Sequence, residues 1–329
     1  MKIAVLFGGD SMERDVSVAS ARQVVAALRS RGHEIVAVDA ERGPLSASEE
    51  AETLARDIAK EPPKAARSFG LPRVVAGLAG ADYDVVFLAV HGGKGEDGTL
   101  QSLLDAHGLR FTGSGRLGSS LAWDKSISKQ LFQLAQVPTP AWRIAPVDAG
   151  AIERDLAFPV IVKPSGQGST VGLTLVDNAD GLDAAVARAS QYDGCVLLES
   201  FIEGRELTVG VLGDRALAVG EIIPRHGGIF DYEAKYQAGA AEEIFPADIP
   251  AEISRQAQTL ALVAHDALRL NAYSRADFRL DENGGLWCLE VNTLPGLSRG
   301  SLLPQSAAAA GVEFDELCER ICLAALGQA

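Results

Sequence analysis

A chain of 329 residues, 47% hydrophobic and 22% charged, has the composition of a globular protein with room for two or three domains and their cores, and excludes an intrinsically disordered chain. Its 44 acidic residues outnumber its 30 basic ones, for a formal charge of -14, which argues against nucleic acid or an anionic membrane as partner, since both are held through clustered Lys and Arg. Small anionic ligands stay open wherever cations gather locally.

The apolar run at residues 3–7 reads as a strand buried on both faces of a parallel sheet, and Gly8-Gly9-Asp10-Ser11 follows as a loop. That run is too short for a signal-peptide core and no later run is long enough to cross a bilayer, so a cytoplasmic location is expected. Val18, Ala21, Val25 and Leu28 repeat at helical spacing, with Ser17 as the expected cap and Gly32 closing the segment before a second strand at 34–38. This β-α-β beginning lacks the G-x-G-x-x-G fingerprint of a dinucleotide site. Residues 41–73 read as helical and loop material. A strand at 85–90 then runs into the glycine-rich loop His91-Gly92-Gly93-Lys94-Gly95-Glu96-Asp97-Gly98-Thr99, at the carboxyl end of a strand, where open α/β sheets bind ligands, although taken alone it reads first as a tight turn before a helix.

After a turn at 112–115, one helix carrying Asp124-Lys125 is expected to run to Gln136, broken by Val137-Pro138-Thr139-Pro140. Strands at 160–164 and 171–176 enclose the loop Ser165-Gly166-Gln167-Gly168-Ser169-Thr170, with Lys163 beside it. Successive backbone N–H groups in such a loop form an anion-binding concavity, and a nearby lysine adds a point charge, which favours phosphate over an ordinary hairpin. A helix at 179–190 leads to strands at 195–199 and 206–212, and Glu199 and Glu206 flank their connection. Residues 225–245 show no period inside a strand-rich unit, as a lid or binding loop would. Ile253, Ala257, Leu260, Ala264 and Leu268 mark an amphipathic helix; Phe314, Leu317 and Ile321 mark a last one. The cysteines, at 195, 288, 318 and 322, show no zinc spacing and read as buried free thiols.

The stretch YSRADFRLDENGGLWCLEVNTLPGLSRGSLL, residues 273–303, is the centre of the reading. Residues 273–280 alternate like a half-buried strand, and Asn283-Gly284-Gly285 turns the chain into a second one. If Asp281 pairs with Leu286, antiparallel register sets Asp277 beside Glu290 and Arg275 beside Asn292, with Leu286, Cys288, Glu290 and Asn292 on one face. Two carboxylates side by side need a cation, and an oxygen-only set suits Mg²⁺ completed by a phosphate. A solvated face neutralised by Arg275 and Arg279 is the competing reading.

Taken together, GGDSMERDVS (8–17), HGGKGEDGTLQ (91–101), DK (124–125), VKPSGQGSTVG (162–172), LLESFIEGRELTV (197–209), DYEAKY (231–236) and the 273–303 stretch resemble, in order and across nearly the whole chain, the D-alanine–D-alanine ligases of the ATP-grasp superfamily. The resemblance implies an α/β protein, α+β in its ATP-grasp part. It implies three domains: a Rossmann-like parallel-sheet domain at 1–119, a central ATP-grasp subdomain at 120–196 and a C-terminal one at 197–329. It implies a homodimer that phosphorylates the carboxylate of one D-alanine with ATP and lets the amine of a second displace phosphate, giving the dipeptide of peptidoglycan precursors. Other ATP-grasp ligases make another dipeptide or a depsipeptide, and that is the alternative.

By the same resemblance Lys125, Lys163 and Lys235 contact ATP phosphates, Glu199 and Glu206 hold the adenine side and ribose, and Ser169 belongs to the phosphate loop. Asp277, Glu290 and Asn292 match the ligands of two Mg²⁺ ions, for which Mn²⁺ can substitute. Glu13 matches the acid that holds the first D-alanine's ammonium, with His91 beside it. Ser169 and Tyr236 match a pair that ties the phosphate loop and the lid to Glu13. Arg275 and the Gly296 N–H match the oxyanion donors, and Ser301 the receiver of the second substrate's carboxylate. The Lys235-Tyr236 pair, with no histidine in the lid, implies an amine acceptor. Gln167, Phe230 and Arg299-Gly300 depart from the family pattern, and an arginine beside Ser301 would bind a second carboxylate or repel an amine.

Overall fold

The computed structural model describes residues 1–56, 58, 70–224 and 241–328. The chain begins with β1 (Lys2–Phe7), α1 (Arg14–Ser30), β2 (Glu34–Asp39), β3 (Gly43–Pro44), α2 (Ala47–Leu54), α3 (Leu71–Ala79), β4 (Val85–Leu88) and α4 (Thr99–Ala106). Its strands form a sheet in the order β3-β2-β1-β4, with β1 parallel to both β2 and β4. The central strand is apolar throughout because both of its faces are covered, and Ile3 to Phe7 are fully buried.

Next come α5 (Arg116–Trp123), α6 (Lys125–Leu134), β5 (Trp142–Ile144), α7 (Ala149–Asp155), β6 (Val160–Pro164), β7 (Thr174–Val176), α8 (Leu182–Ala189) and β8 (Val196–Ser200). They build an antiparallel sheet, β5-β8-β6-β7. The rest is β9 (Arg205–Leu212), β10 (Arg215–Pro224), β11 (Ala241–Ile244), α9 (Ala251–Ala267), β12 (Tyr273–Leu280), β13 (Leu286–Asn292), α10 (Leu302–Ala309) and α11 (Phe314–Ala325). The third sheet is antiparallel in the order β11-β10-β9-β12-β13, covered by the Ala257, Ala261 and Ala264 face of α9.

Several local expectations are corrected. Ser17 does not cap α1: the helix starts three residues earlier, and the buried Ser17 hydroxyl accepts from Gly8 N–H (2.7 Å) and donates to Ala89 O (2.6 Å), tying β1 to the end of β4. The single helix expected through Asp124 is two, because Asp124 takes extended backbone and its carboxylate accepts from Ser126 N and Ile127 N as the cap of α6. The strand expected from Val171 starts at Thr174, since Ser169 and Thr170 carry left-handed backbone, φ 50° and 63°. β5, α7 and β10 were not anticipated. The lid expected at 225–245 lies outside the described residues up to 240, and its last part is β11, paired with β10.

Candidate active site

The β12–β13 hairpin reaches the expected pairing by another route. Leu280, not Asp281, pairs with Leu286, and Phe278 with Cys288; a bulge at Leu289 then restores Asp277 opposite Glu290 and Arg275 opposite Asn292. The bulge also corrects the expected faces. Leu286 and Cys288 join Val291 in the core with Ala276, Phe278 and Leu280, while Glu290 and Asn292 turn to the other side with Arg275 and Asp277. Asp277 accepts from Thr208 Oγ1 (2.8 Å), Asn292 Nδ2 (3.0 Å), Arg275 Nε (2.9 Å) and Arg275 Nη2 (2.8 Å). Glu290 lies 3.2 Å from Lys125 Nζ. Arg275 therefore does offset Asp277, whereas Arg279 turns to Glu206 and to the carbonyls of Ile202 and Gly204.

Glu13, at the N-terminus of α1, receives the Ser169 hydroxyl. The approach requires glycines on both sides: a Cβ on Gly92 would stand 2.3 Å from Glu13 Oε2, and one on Gly168 2.9 Å away. Lys125 Nζ donates to Gln167 O (2.7 Å), and Ser165 Oγ donates to the capping Asp124 (2.7 Å), so the start of α6 holds the first half of the glycine-rich loop.

Two cavities adjoin here. One is a slot between the second and third sheets, lined by Ile161, Phe201, Ile202 and Leu289 together with Lys163, Glu199 and Glu206. Lys163 Nζ donates to the buried Glu199 (2.6 Å). The fully buried Lys129 stands 3.0 Å from the other Glu199 oxygen, an ion pair rather than an aligned hydrogen bond, and donates to Thr139 Oγ1 (2.7 Å) and Pro140 O (3.0 Å). Burial would raise the Glu199 carboxyl, but the two lysines outweigh it and hold it below the usual range.

The second cavity, about 530 Å³, contains Glu13, His91, Arg275, Gly296 and Ser301. His91 is buried between Ser20 Oγ (2.9 Å at Nε2) and Leu294 O (2.9 Å at Nδ1), and burial lowers its basicity. Because a carbonyl only accepts, Nδ1 carries the proton and Nε2 takes the Ser20 hydroxyl's. Ser20 Oγ in turn accepts from Leu297 N (3.3 Å), so α1 and the loop after β4 fix the 294–297 turn that presents Gly296. Ser301, at the N-terminus of α10, makes no side-chain cap; its Oγ sits 2.8 Å from Ser298 Oγ, and a Cβ on Gly296 would stand 2.8 Å from it. The two cavities share Lys125, Gln167, Gly168, Ser169, Arg275, Glu290 and Leu302. A group passed between ligands in the two spaces would cross a wall of cations and backbone donors.

A family model described as "D-ala D-ala ligase N-terminus" matches residues 2–114, and one described as "D-ala D-ala ligase C-terminus" matches residues 135–323. Over 326 residues the chain is 41% identical to the D-alanine–D-alanine ligase of Geotalea uraniireducens (strain Rf4), covering 98% of this chain and 95% of that protein. Over 318 residues it is 42% identical to that of Acidiphilium cryptum (strain JF-5), covering 96% of each. The chain belongs to the D-alanine–D-alanine ligase family. The fold agrees: the crystal structure of the Bacillus anthracis ligase complexed with ATP superposes with a TM-score of 0.79 at 27% identity, covering 99% of this chain and 97% of that one. The mixed α/β architecture is thus that of the ATP-grasp ligases.

Lys235 and Tyr236 of the ligase, expected at its phosphates and its Ser169, lie outside the described residues. Each of the remaining expected positions lines one cavity or both; of the expected metal set, Asp277 lines the slot, Asn292 the larger cavity and Glu290 both. Three residues at the site escaped the sequence: Lys129, which reads as an ordinary helical lysine; Glu243, inside an aperiodic stretch; and Glu96, one acid among the loop's glycines. Burial, reinforced by the charge of Glu13, pushes the Glu96 carboxyl up to about 8. Arg299, feared near the acceptor, instead pairs with Asp315 (2.5 Å) and stacks on Phe314 (4.8 Å to the ring centre).

Proposed function

We propose that the ligase joins two D-alanine molecules through a D-alanyl phosphate formed from ATP, with the nucleotide in the slot and both amino acids in the larger cavity. The shared wall of Lys125, Arg275, Glu290 and the glycine-rich loop is the observation that carries it. The D-alanine carboxylate attacks the terminal phosphorus, the bond to ADP breaks, and Lys125, Lys163 and the loop's N–H groups offset the negative charge spread over the transferring group. The second D-alanine's amine then attacks the acyl carbon, the carbon's oxygen becomes an oxyanion aimed at Arg275 and Gly296 N–H, and phosphate leaves as that carbonyl re-forms. Glu13 holds the donor's ammonium, and Ser301 with the open N-terminus of α10 receives the acceptor's carboxylate.

Asp277, Glu290 and Asn292 offer hard oxygen donors of the kind Mg²⁺ takes, and Mn²⁺ is accepted on the same grounds. These three residues would hold the ion together with oxygens of the nucleotide's phosphates. When bound, the metal neutralises phosphate charge. The homodimer, the cytoplasmic location and the division at 119/120 and 196/197 belong to this proposal too, supported by family likeness; among the described residues no helix is long and apolar enough to cross a membrane.

The test is phosphate release from ATP with D-alanine against a panel of amino and hydroxy acids, followed by competition of equal D-alanine and D-lactate at neutral pH with products resolved by mass. Predominant dipeptide is expected. Predominant ester moves the activity to the depsipeptide alternative. Glu290→Gln and Asp277→Asn are expected to lose nearly all turnover while the chain stays folded, and near-normal activity of either at low Mg²⁺ refutes the metal assignment.

A further inference from the structure

An amine attacks only after losing a proton, and free D-alanine is an ammonium at neutral pH, so the acceptor space must contain a group to receive that proton. Glu13 is engaged by Ser169, Glu290 by Lys125, and Asp277 by Arg275, Thr208 and Asn292. Glu96 accepts from Gly92 N–H (3.0 Å), and burial pushes its carboxyl up to about 8, which favours the protonated form at neutral pH. Glu243 is placed differently. It stands on β11 opposite Ile222, and its carboxylate enters the larger cavity against α10, where the Gln305 side-chain amide donates to it. Gln305 also donates to Gly300 O (2.9 Å), and its own N–H bonds Ser301 O (3.1 Å). Glu243 is thereby held by a side chain that stands one helical turn beyond Ser301, the residue assigned to the acceptor's carboxylate. Among the described residues no Lys, Arg or His forms an ion pair with it.

We propose that Glu243 takes the proton from the ammonium of the acceptor D-alanine, an inference that rests on the amide-forming reading above. One N–H bond of the ammonium breaks and its proton passes to a Glu243 oxygen. The nitrogen lone pair then forms the C–N bond as the carbonyl π bond opens to the oxyanion; the C–O bond to phosphate breaks as the carbonyl re-forms, and the second amine proton leaves with the phosphate. Burial raises the Glu243 carboxyl, which strengthens it as a base, and Gln305 and Arg275 act against that rise. The other titratable and charged groups facing this cavity are Arg275 on β12, Glu290 on β13, Lys125 on α6, Glu13 before α1, and His91 and Glu96 after β4.

The experiment compares the full-length wild type with Glu243→Gln, using ATP and D-alanine as donor and either D-alanine or hydroxylamine as acceptor, the latter an amine largely unprotonated at neutral pH. The variant is expected to lose about 10²-fold in dipeptide formation, to keep most of its hydroxamate formation, and to recover dipeptide as pH rises toward the amine's own pKa. Glu243→Asp should restore part of the loss. Equal losses with both acceptors, or no loss with either, overturn the role. A wild type that yields hydroxamate but no dipeptide refutes the amide reading itself, and the assignment of Glu243 falls with it.

Discussion

Glu96 shows how one side chain can tax stability for the sake of a cavity. A carboxyl held at about 8 in the folded protein keeps a proton that the unfolded chain has released, so stability falls as pH rises from the ordinary carboxylate range to about 8 and is level above it. Glu96→Gln removes that penalty. Its melting temperature is expected to exceed the wild type's at pH 8, by the equivalent of a few kcal/mol on the order of the shift, with the gap closing toward pH 5. Equal melting temperatures at both pH values would show that Glu96 is ionised in the folded protein. Arg299 makes the opposite case. Its guanidinium is 59% exposed and spent on Asp315 and Phe314. Arg299→Ala is therefore expected to leave acceptor KM unchanged and to cost about 1 kcal/mol or less; a large change in acceptor KM would return Arg299 to the site.

At the scale of elements, the hairpin separates what a sequence can show from what it cannot. The pairing of Asp277 with Glu290 followed from an assumed Asp281–Leu286 pair, and the structure reaches it instead with Leu280 opposite Leu286 and one extra residue further along the strand. The bulge at Leu289 was not legible, because an extra residue in a strand has no compositional mark, and it reverses the faces on one side of it. The glycine-rich loops were legible because close backbone approach excludes every other residue, as Gly92 and Gly168 against Glu13 demonstrate. Glu243 and Lys129 were not, since their roles depend on partners distant in the chain. The bulge also turns Leu289 into the slot assigned to nucleotide. Leu289→Ala is expected to raise KM for ATP roughly tenfold with acceptor KM little changed; an effect on the acceptor alone would place the adenine elsewhere.

Across the whole molecule, the first core does not follow chain order. Ile3, Phe7, Leu28, Val75 and Phe87 pack in one cluster with Tyr273, Leu294 and Leu303, and with Phe314, Leu317, Cys318, Ile321 and Cys322 of α11. Polar contacts reinforce the seam: Glu319 pairs with Arg31 and with His33 (3.0 Å), and Asp315 accepts from Ser30 (3.1 Å). The last helix therefore completes the first sheet's core, and the 294–301 turn that presents Gly296 and Ser301 is held between them. Burying one large apolar side chain is worth about 1.5–3 kcal/mol, so losing α11 removes stabilisation comparable to the roughly 5–15 kcal/mol by which a whole domain is stable. Deleting residues 313–329 is expected to abolish the cooperative melt of the first sheet's unit and to give insoluble protein. The milder Ile321→Ala should cost about 2–5 kcal/mol while leaving KM for ATP and D-alanine unchanged. A soluble truncated chain with the wild-type melting profile would show that the first core is complete without its C-terminal helix.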